Sequence, residues 1–477
     1  MAKKLNRETT GLLQTRPVKV LQFGEGNFLR AFADWIIDIL NEKTDFNGAV
    51  QVVQPIQQGM GKMVNAQDGL YHVVLNGIRN GKPSQETRLV TSVAGVINPF
   101  EDFDTYLKTA ENPELKFVLS NTTEAGITFT AQDKSPDVLP ESFPGKLTVL
   151  LHHRYRFFNG AADKGLIIMP CELIDKNGDT LRNTILQYIA HWNLSDGFKN
   201  WIVQHTTFCN TLVDRIVPGF PKDTIAEIHQ ATGFEDNLVV MAEPFHLWVI
   251  EAPEAVRLAF PADKAGLQVK FVKDMAPYRT RKVRILNGAH TALVPVAYIQ
   301  GLRTVREAVE DAFTGDFIRK AIHDEIIPTL DLPADELKQF AHDVIERFQN
   351  PFIRHELMSI ALNSISKYTV RVLPSVLKYI DVKKQLPNRL VFSLASLIRF
   401  YKGEWQGETI ALKDTPEVLD FFRTVWKSND LETVARKTLS NVSFWEQDLT
   451  TISGLVEKVT ANLKELEQLE QEMDVKQ

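Results

Sequence analysis

The sequence has few cysteines and lacks a long apolar run, and each of these features excludes a class of protein. Among 477 residues there are two cysteines, Cys171 and Cys209, too few for a disulfide framework or a four-cysteine zinc site. No stretch approaches the roughly 20 consecutive apolar residues that a membrane-spanning helix needs. The basic start continues into polar residues and lacks the apolar segment of a signal peptide. We therefore expect a cytoplasmic protein that binds no membrane.

A strong charge imbalance is missing too. The net charge is −6, which is small for a chain of 54.1 kDa and gives no sign of a nucleic-acid-binding surface. Eleven histidines are present, but no His-Glu-x-x-His motif occurs, and His355-Glu356 lacks the second histidine. We therefore expect no metal site.

The first half of the chain is patterned as alternating strands and helices. Residues 18–23 form a short apolar run, Gly24-Glu25-Gly26 a turn, and the apolar residues from Leu29 to Leu40 recur at helical spacing before a second apolar run at 48–54. This order is typical of the opening of a doubly wound, Rossmann-type sheet. Further strands are predicted at residues 116–120, 165–169, 238–241 and 268–272.

After about residue 277 long amphipathic segments dominate. They predict helices at residues 303–314, 337–348, 373–380, 389–401 and 452–469. We predict an α/β Rossmann-type domain over residues 1–277 and an all-α domain over 278–477. The Glu-rich face of the last helix is most simply a solvated face, which leaves a monomer and a small homo-oligomer both open.

The turn Gly24-x-Gly26 suits a dinucleotide. Its glycines allow a tight turn close to a pyrophosphate, and a helix N-terminus would add backbone N–H groups. A plain tight turn is the alternative, because Gly-x-Gly alone is a weak signal. Two parts of the usual pattern are missing: Leu29 stands where a third small residue is expected, and Gln54 where an acid would bind the ribose of NAD. The choice between NAD and NADP is therefore open on these residues.

A second group of polar residues has the spacing Lys282-x4-Asn287-x2-His290. On a helix these positions fall within about one broad face. An amine there can act as general acid or base, an amide can stabilise a developing oxyanion, and an imidazole can bind a hydroxyl. The alternative is a surface helix with a lone core histidine.

Five ordered segments resemble the polyol-specific long-chain dehydrogenases, the mannitol dehydrogenase family. They are Gln22-Phe-Gly-Glu-Gly-Asn-Phe-Leu-Arg-Ala31, Ser120-Asn-Thr-Thr-Glu-Ala-Gly126, Phe208-Cys-Asn-Thr-Leu-Val-Asp-Arg-Ile-Val-Pro218, Glu243-Pro-Phe-His-Leu-Trp-Val-Ile-Glu251 and the segment from Lys282 to His290. The resemblance implies a Rossmann domain followed by a helical domain. It also implies a metal-independent hydride transfer with NAD.

The resemblance assigns a role to particular residues. It makes Lys282 the general acid/base, Asn287 the donor to the developing alkoxide, and His290 a partner of a substrate hydroxyl or of the lysine. Substrate contacts are expected from Asp214, Arg215 and Asn210, although an internal salt bridge joining the domains is a nearly equal alternative for Asp214 and Arg215. Cofactor contacts are expected from Leu21, Gln22, Phe23, Gly24, Glu25, Gly26, Asn27, Phe28, Leu29, Arg30, Ala31, Asn121 and Glu124. The alternative for Arg30 is that it only caps or braces the loop.

Within the family, the form of the first segment and Met169-Pro-Cys-Glu-Leu-Ile174 are most similar to members that reduce keto-hexuronates. They imply NAD(H)-dependent reduction of D-tagaturonate to D-altronate. Reduction of fructuronate, a mannitol 2-dehydrogenase activity and a nucleotide-sensing protein without chemistry are the alternatives. A uronate needs a cation for its carboxylate, and the candidates are Arg215, Arg281, Arg284 and Lys383.

One residue departs from the family pattern. Leu173 replaces an asparagine that serves family members as a second oxyanion donor, and leucine cannot donate a hydrogen bond. Asn177, Asn210 or a backbone N–H could replace it, or the oxyanion could rest on Asn287 and Lys282 alone.

Overall fold

The computed structural model describes residues 2–79, 81–122 and 125–474 and divides into two compact units. Unit 1 comprises the residues up to 76 together with 84–275, and unit 2 comprises 77–83 together with 276–477. The main division therefore follows Met275, two residues before the boundary predicted from the sequence. The short segment 77–83, which the sequence did not distinguish, belongs with the C-terminal unit.

The strands of the chain are short and most of them lie in unit 1. In chain order they are β1 Lys3–Lys4, β2 Val18–Phe23, β3 Ala49–Val53, β4 Tyr71–Arg79, β5 Lys82–Val90, β6 Val93–Ile97, β7 Phe117–Ser120, β8 Ile167–Pro170, β9 Thr207–Phe208, β10 Asn210–Asp214, β11 Phe234–Glu235, β12 Val240–Ala242, β13 Leu247–Glu251, β14 Val269–Val272, β15 Glu404–Trp405 and β16 Glu408–Thr409.

The central sheet of unit 1 has the order β6-β3-β2-β7-β8-β9, and its neighbouring strands are parallel. Counted along the sheet's own strands this is the order 3-2-1-4-5-6 of a Rossmann fold. The order reverses between β2 and β7, and the carboxyl ends of these two strands mark the switch point where ligands bind in such sheets. The predicted Rossmann-type fold is confirmed.

The central strands are apolar on both faces because helices cover both sides of the sheet. Val20 packs on one face with Val52 and Leu119, whereas Leu21 and Phe23 pack on the other with residues that include Val53 and Val118. This alternation explains why residues 18–23 form a nearly continuous apolar run.

Two of the predicted strands lie outside the central sheet. β12, at the predicted position 238–241, pairs with β4 in the sheet β12-β4-β5, and β14, at 268–272, pairs with β13 in the sheet β10-β13-β14. Both pairings are parallel, so an apolar run alone could not distinguish these strands from members of the main sheet.

In unit 1 the helices are α1 Arg7–Thr10, α2 Asn27–Ala31, α3 Ala33–Lys43, α4 Gly61–Ala66, α5 Phe103–Lys108, α6 Phe143–Phe157, α7 Asn177–His191, α8 Asp196–His205, α9 Ile225–Thr232 and α10 Glu254–Ala259.

Unit 2 is helical apart from the short β15–β16 hairpin and the tip of the β4–β5 hairpin. Its helices are α11 Ala276–Arg281, a π-helical turn Lys282–Asn287, α12 Gly288–Ile299, α13 Val305–Glu310, α14 Ala312–Lys320, a second π-helical segment Ala321–Ile326, α15 Ala334–Phe348, α16 Leu357–Ile360, α17 Ser364–Arg371, α18 Leu373–Lys383, α19 Asn388–Phe400, α20 Pro416–Val425, α21 Leu431–Leu439, α22 Val442–Trp445 and α23 Leu455–Asp474.

The core of unit 2 surrounds α12, whose residues are almost all buried. Ser393 on α19 donates its hydroxyl to the carbonyl oxygen of Ala292, and the fully buried Arg399 joins α19 to Glu467 and Glu470 on α23. The predicted helix over 303–314 is wrong, because extended backbone at Asp311 separates α13 from α14. No helix in the described part of the chain is both long and apolar enough to cross a bilayer.

Candidate functional site

The turn after β2 requires glycine. Gly24 has a φ of +123°, and its N–H donates to the carbonyl oxygen of Val53 over 3.2 Å. A Cβ at this position would lie 3.1 Å from Leu29 Cδ1 and 3.5 Å from the carbonyl oxygen of Asn121. A side chain would therefore strain the backbone and crowd the turn. The bare backbone lies at the carboxyl ends of β2 and β7, the switch point of the sheet, as a dinucleotide site requires.

The helix after the turn is shorter than predicted. α2 ends at Ala31, and Phe32, with φ −126° and ψ −78°, separates it from α3. The prediction of one continuous helix is therefore wrong. Because a single helical turn sums few peptide dipoles, a pyrophosphate here would depend mainly on the backbone N–H groups of the glycine turn.

Arg30 braces the glycine turn from beneath. Its Nε donates to the carbonyl oxygen of Glu25 over 3.0 Å and its Nη2 to Asn27 Oδ1 over 2.8 Å. The guanidinium also donates to the carbonyl oxygen of Leu238 and lies 5.2 Å from the centre of the Tyr71 ring. These contacts brace the turn, as the alternative for Arg30 predicted, and direct contact of Arg30 with a cofactor stays a prediction.

A buried acid supports the same turn. Gln22 Nε2 donates to the carbonyl oxygen of Gly24 over 3.0 Å and to Asp34 Oδ2 over 3.3 Å. Tyr71 donates its hydroxyl to Asp34 Oδ2 over 3.1 Å. Burial raises the pKa of Asp34 to about 7. Of the remaining predicted cofactor residues, five pack in or against the core: Leu21, Phe23, Phe28, Leu29 and Ala31. Asn121 follows β7, and its N–H donates to the carbonyl oxygen of Phe23 over 3.4 Å. Glu124 lies outside the described residues.

Lys282 and Asn287 lie at the two ends of a π-helical turn in unit 2. The N–H of Gly288 donates to the carbonyl oxygen of Val283, a bond across five residues that defines this form. In an α-helix, residues five apart point about 140° away from each other. A π turn takes more residues per turn, so it brings Lys282 and Asn287 nearer to one face than an α-helix would. Mid-helix π turns of this kind occur frequently at functional sites.

The amide of Asn287 and the ring of His290 are both available for a ligand. Within the described part of the chain the Asn287 side chain makes no hydrogen bond, and His290 Nε2 has no partner there. The His290 ring stacks on Phe348, with ring centres 4.0 Å apart, and meets His355 edge-on at 5.1 Å. Its orientation is therefore fixed by packing.

The His290 imidazole is neutral at physiological pH. Burial, together with the positive charge of Arg347 and Arg371, holds its pKa well below the usual value of 6.5. A neutral imidazole can accept a hydrogen bond at one nitrogen and donate one at the other.

Two of the predicted substrate residues make scaffold contacts within unit 1. Arg215 donates to the carbonyl oxygens of Ala31 and Glu243, over 2.8 and 2.9 Å, and lies 4.2 Å from the Trp35 ring centre. The amide of Asn210 bonds to Asp179 on α7 and Glu251 on β13. Asp214 is buried at the end of β10. Substrate contact by these three residues stays a prediction.

The second oxyanion donor is not supplied by the asparagines near Leu173. The Asn177 amide donates to the carbonyl oxygens of Pro170, Glu172 and Thr211 over 2.9–3.0 Å, so its hydrogens are already engaged. Asn210 is engaged as described above, and Leu173 is exposed. Of the side chains considered from the sequence, Asn287 and Lys282 remain.

Arg215, Arg281 and Arg284, the arginines considered as partners of a substrate carboxylate, all bind other groups of the protein, whereas Arg371, which the sequence analysis missed, does not within the described residues. Arg281 pairs with Glu336 at 2.8 Å, and Arg284 donates to the carbonyl oxygen of Val370 at 2.9 Å. Lys383 is exposed at the end of α18. Arg371, at the end of α17, makes no hydrogen bond or ion pair within the described ranges, and burial lowers its pKa. Its carbonyl oxygen lies 3.0 Å from the site of a Cβ on Gly288, which brings the end of α17 against the start of α12.

Among the described residues no group of three or more His, Cys, Asp or Glu side chains is arranged to hold a metal ion. Two features of unit 1 could hold NAD. One is the glycine turn with its bare backbone at Gly24. The other is the buried Glu25 carboxylate beside it, whose Oε2 has no hydrogen-bond partner in the described part of the chain. The bare turn fits the phosphate groups of a dinucleotide, and the carboxylate oxygen fits one of its hydroxyl groups.

Comparison with known proteins gives a consistent assignment over nearly the whole chain. Residues 18–261 match the model of the mannitol dehydrogenase Rossmann domain, and residues 274–467 match that of the mannitol dehydrogenase C-terminal domain. The chain is 50% identical over 468 residues to an altronate oxidoreductase of Phocaeicola vulgatus, covering 98% of both chains. It is 47% identical over 468 residues to an altronate oxidoreductase of Bacillus subtilis, covering 98% of this chain and 96% of that protein.

Solved structures give the same fold. A D-sorbitol dehydrogenase in substrate-free form superposes with a TM-score of 0.80 at 25% identity, covering 96% of this chain and 97% of the other. The mannitol 2-dehydrogenase of Pseudomonas fluorescens, solved with NAD and D-mannitol, has a TM-score of 0.67 at 20% identity and 99% coverage of both chains. With both family models matched in order and relatives about half identical over almost its full length, the chain belongs to the mannitol dehydrogenase family.

Proposed function

We propose that this protein is an NAD(H)-dependent oxidoreductase that reduces D-tagaturonate to D-altronate in hexuronate catabolism. The observation that supports the proposal is the π-helical turn that begins at Lys282 and ends at Asn287, whose side-chain amide makes no hydrogen bond within the described residues, with the neutral His290 three positions later. Relatives named altronate oxidoreductase, about half identical over almost the full chain, support the choice of a sugar-acid substrate.

The amine and the amide act on the same substrate oxygen. Lys282, in its ammonium form, donates a proton to the ketone oxygen as that oxygen gains negative charge, and Asn287 donates a hydrogen bond to it. NADH, when bound, supplies the hydride that reduces the carbonyl carbon. Loss of one preorganised donor of this kind typically raises the barrier by about 3–4 kcal/mol. In the direction of oxidation the neutral Lys282 amine takes the hydroxyl proton.

His290 orients the substrate. Its ring cannot turn freely between Phe348 and His355, and it is neutral, so it can bond a substrate hydroxyl or accept from the Lys282 ammonium. Either contact would hold the reacting ketone against Lys282.

Arg371 is the best candidate for the carboxylate of a uronate. It is half-buried, its charge contributes to the electrostatics at His290, and no acid pairs with it in the described part of unit 2. A guanidinium can bind a carboxylate through two parallel hydrogen bonds, which a lysine cannot do. Arg371 would thereby distinguish a uronate from a neutral ketose.

The test is NADH oxidation with D-tagaturonate, D-fructuronate and D-fructose compared at equal concentration. We expect tagaturonate to be reduced with the highest kcat/KM, and Arg371→Gln to lower kcat/KM for both uronates while leaving the slow reaction with fructose unchanged. A preference of the wild-type protein for fructose would move the assignment to mannitol 2-dehydrogenase, and a preference for fructuronate would move it to fructuronate reduction.

A further inference from the structure

The carboxyl end of β3 lacks the acid that usually binds the adenosine ribose of NAD. Gln54 stands in its place, and its side-chain amide is already engaged in hydrogen bonds within the protein. Gln54 Nε2 donates to the carbonyl oxygens of Ile56 and Gln57 over 2.9 and 3.1 Å, and Oε1 accepts from the N–H of Gly61 over 3.3 Å. Gln54 therefore shapes the loop that follows β3 and has little bonding capacity left for a ribose. A cavity of about 210 Å³ opens beside it, at the ends of β3 and β6.

The carboxylate of Glu25 lies where the missing acid would be expected. A Cβ built on Gly59 would come within 2.0 Å of Glu25 Oε1 and within 2.6 Å of Gln54 Cδ, so the two side chains meet around the same bare α-carbon. Glu25 reaches this place from the glycine turn after β2, and its Oε1 accepts from the N–H of Met60 over 3.0 Å. The Glu25 carboxylate, from the turn after β2, therefore lies beside the end of the neighbouring strand β3.

The second oxygen of the Glu25 carboxylate, Oε2, is buried and has no hydrogen-bond partner within the described residues. A buried carboxylate oxygen without a donor is costly, because that oxygen has lost its water, and the bond from Met60 to Oε1 compensates only in part. Burial accordingly raises the pKa of Glu25. A ligand that brings a hydroxyl to Oε2 would remove this cost, whereas a ligand that brings a phosphate would add a repulsion between two anions.

We propose that Glu25, through Oε2, accepts a hydrogen bond from the 2′-hydroxyl of the adenosine ribose and makes the protein select NAD(H) over NADP(H). This inference rests on the proposed NAD(H)-dependent function. It assigns to the variable residue of the Gly24-x-Gly26 turn the task that an acid on the second strand performs in the usual Rossmann pattern. The 2′-phosphate of NADP(H) would meet the same carboxylate and be rejected.

The experiment compares nucleotides that differ at the 2′ position. Binding of NADH and NADPH is followed by nucleotide fluorescence, and binding of ADP and 2′-deoxy-ADP by calorimetry, for the wild-type protein and Glu25→Gln. A hydrogen bond to a charged group corresponds to about a ten- to hundredfold change in affinity, so we expect the wild-type protein to prefer ADP to 2′-deoxy-ADP, and NADH to NADPH, by about this factor. Glu25→Gln should reduce both preferences several-fold or more.

Matched variants show whether the effect belongs to this carboxylate. Glu101→Gln makes the same substitution at the rim of the cavity, where Glu101 is exposed and paired with Lys62, and should keep both preferences. Glu25→Asp retains the charge but withdraws it by one methylene, and should lose the ADP preference as Glu25→Gln does. Melting temperatures of the nucleotide-free variants confirm that each is folded.

Two results would overturn the inference: preferences that survive in both Glu25 variants, or a wild-type protein that does not distinguish ADP from 2′-deoxy-ADP. Reduction of tagaturonate with NADH together with either result would refute the role of Glu25 and leave the proposed function standing. Loss of the ADP preference in the variants of a protein that does not reduce tagaturonate would refute the function and leave the role of Glu25 standing.

Discussion

The protonation state of His290 is set by its surroundings, and it makes the stability of the protein depend on pH. In the unfolded chain a histidine has a pKa of about 6.5, whereas burial and nearby positive charge place the pKa of the folded His290 well below that value. Below about pH 6.5 the unfolded state therefore binds a proton that the folded state does not. The free energy of unfolding should fall as the pH decreases from 6.5 toward the pKa of the folded protein.

The measurement is the urea midpoint of unfolding between pH 8 and pH 5. We expect the wild-type protein to lose stability more steeply below pH 6.5 than His290→Asn, which cannot titrate, even if the variant is less stable at pH 8 because the ring no longer stacks on Phe348. His342→Asn, which removes an exposed histidine from the same unit, is the control. Parallel profiles for the wild-type protein and His290→Asn would contradict this explanation.

Arg371 allows a second prediction for a single residue. If its guanidinium binds the uronate carboxylate, Arg371→Gln should raise KM for tagaturonate and lower kcat/KM by about ten- to a hundredfold, because a charge-assisted hydrogen bond is lost. NADH affinity should not change. Lys383→Gln removes an exposed cation of the same unit and should match the wild-type protein in steady-state kinetics. An unchanged KM for Arg371→Gln would exclude this contact.

Among the structural elements, the π-helical turn shows the limit of prediction from periodicity. The spacing of Lys282, Asn287 and His290 pointed to one helix face, but for an α-helix a separation of five residues fits that face poorly. The turn that resolves this mismatch depends on hydrogen bonds across five residues, which apolar spacing does not encode. Arg371 was missed for a similar reason: packing of α17 against Gly288, far away in sequence, brings it near the triplet.

Elements with a simple local cause were predicted well. The runs at 18–23, 48–54 and 116–120 became central strands, because a strand covered on both faces is mostly apolar on both of them. The helix predicted over 303–314 was wrong because its apolar spacing continues through Asp311, where a capping side chain begins a new helix. Capping depends on the bonding of a single side chain and is invisible to a periodic pattern.

The cap at Asp311 gives a prediction at this scale. Its carboxylate accepts from the N–H groups of Phe313 and Thr314 over 3.0 and 2.8 Å, and hydrogen bonds to Thr314 lower its pKa. Asp311→Ala should reduce the free energy of unfolding by about 1 kcal/mol, measured by chemical denaturation at pH 7. Asp311→Asn keeps an acceptor and should cost much less. Equal losses in the two variants would mean that charge, and not the capping bond, stabilises α14.

At the scale of the whole molecule, the residues proposed for nucleotide binding and those proposed for proton transfer lie in different units. Unit 1 contains the glycine turn and the switch point of the Rossmann sheet, and unit 2 contains Lys282, Asn287 and His290. Nucleotide binding and proton transfer should therefore be separable by mutation. A ligand present at a hundred times its Kd raises the free energy of unfolding by about 2.7 kcal/mol, so thermal melting reports binding without any turnover.

Lys282→Ala should abolish nearly all turnover, by roughly a hundred- to ten-thousandfold, since general acid catalysis is lost. Its melting temperature should still rise with NADH as in the wild-type protein, because no part of the glycine turn has changed. Gly24→Val should instead abolish NADH binding, because the side chain would strain a backbone at φ +123° and crowd Leu29. The NADH-induced rise in melting temperature should then disappear. If Lys282→Ala also lost that rise, the lysine would contribute to nucleotide binding, and its role could not be limited to moving the proton.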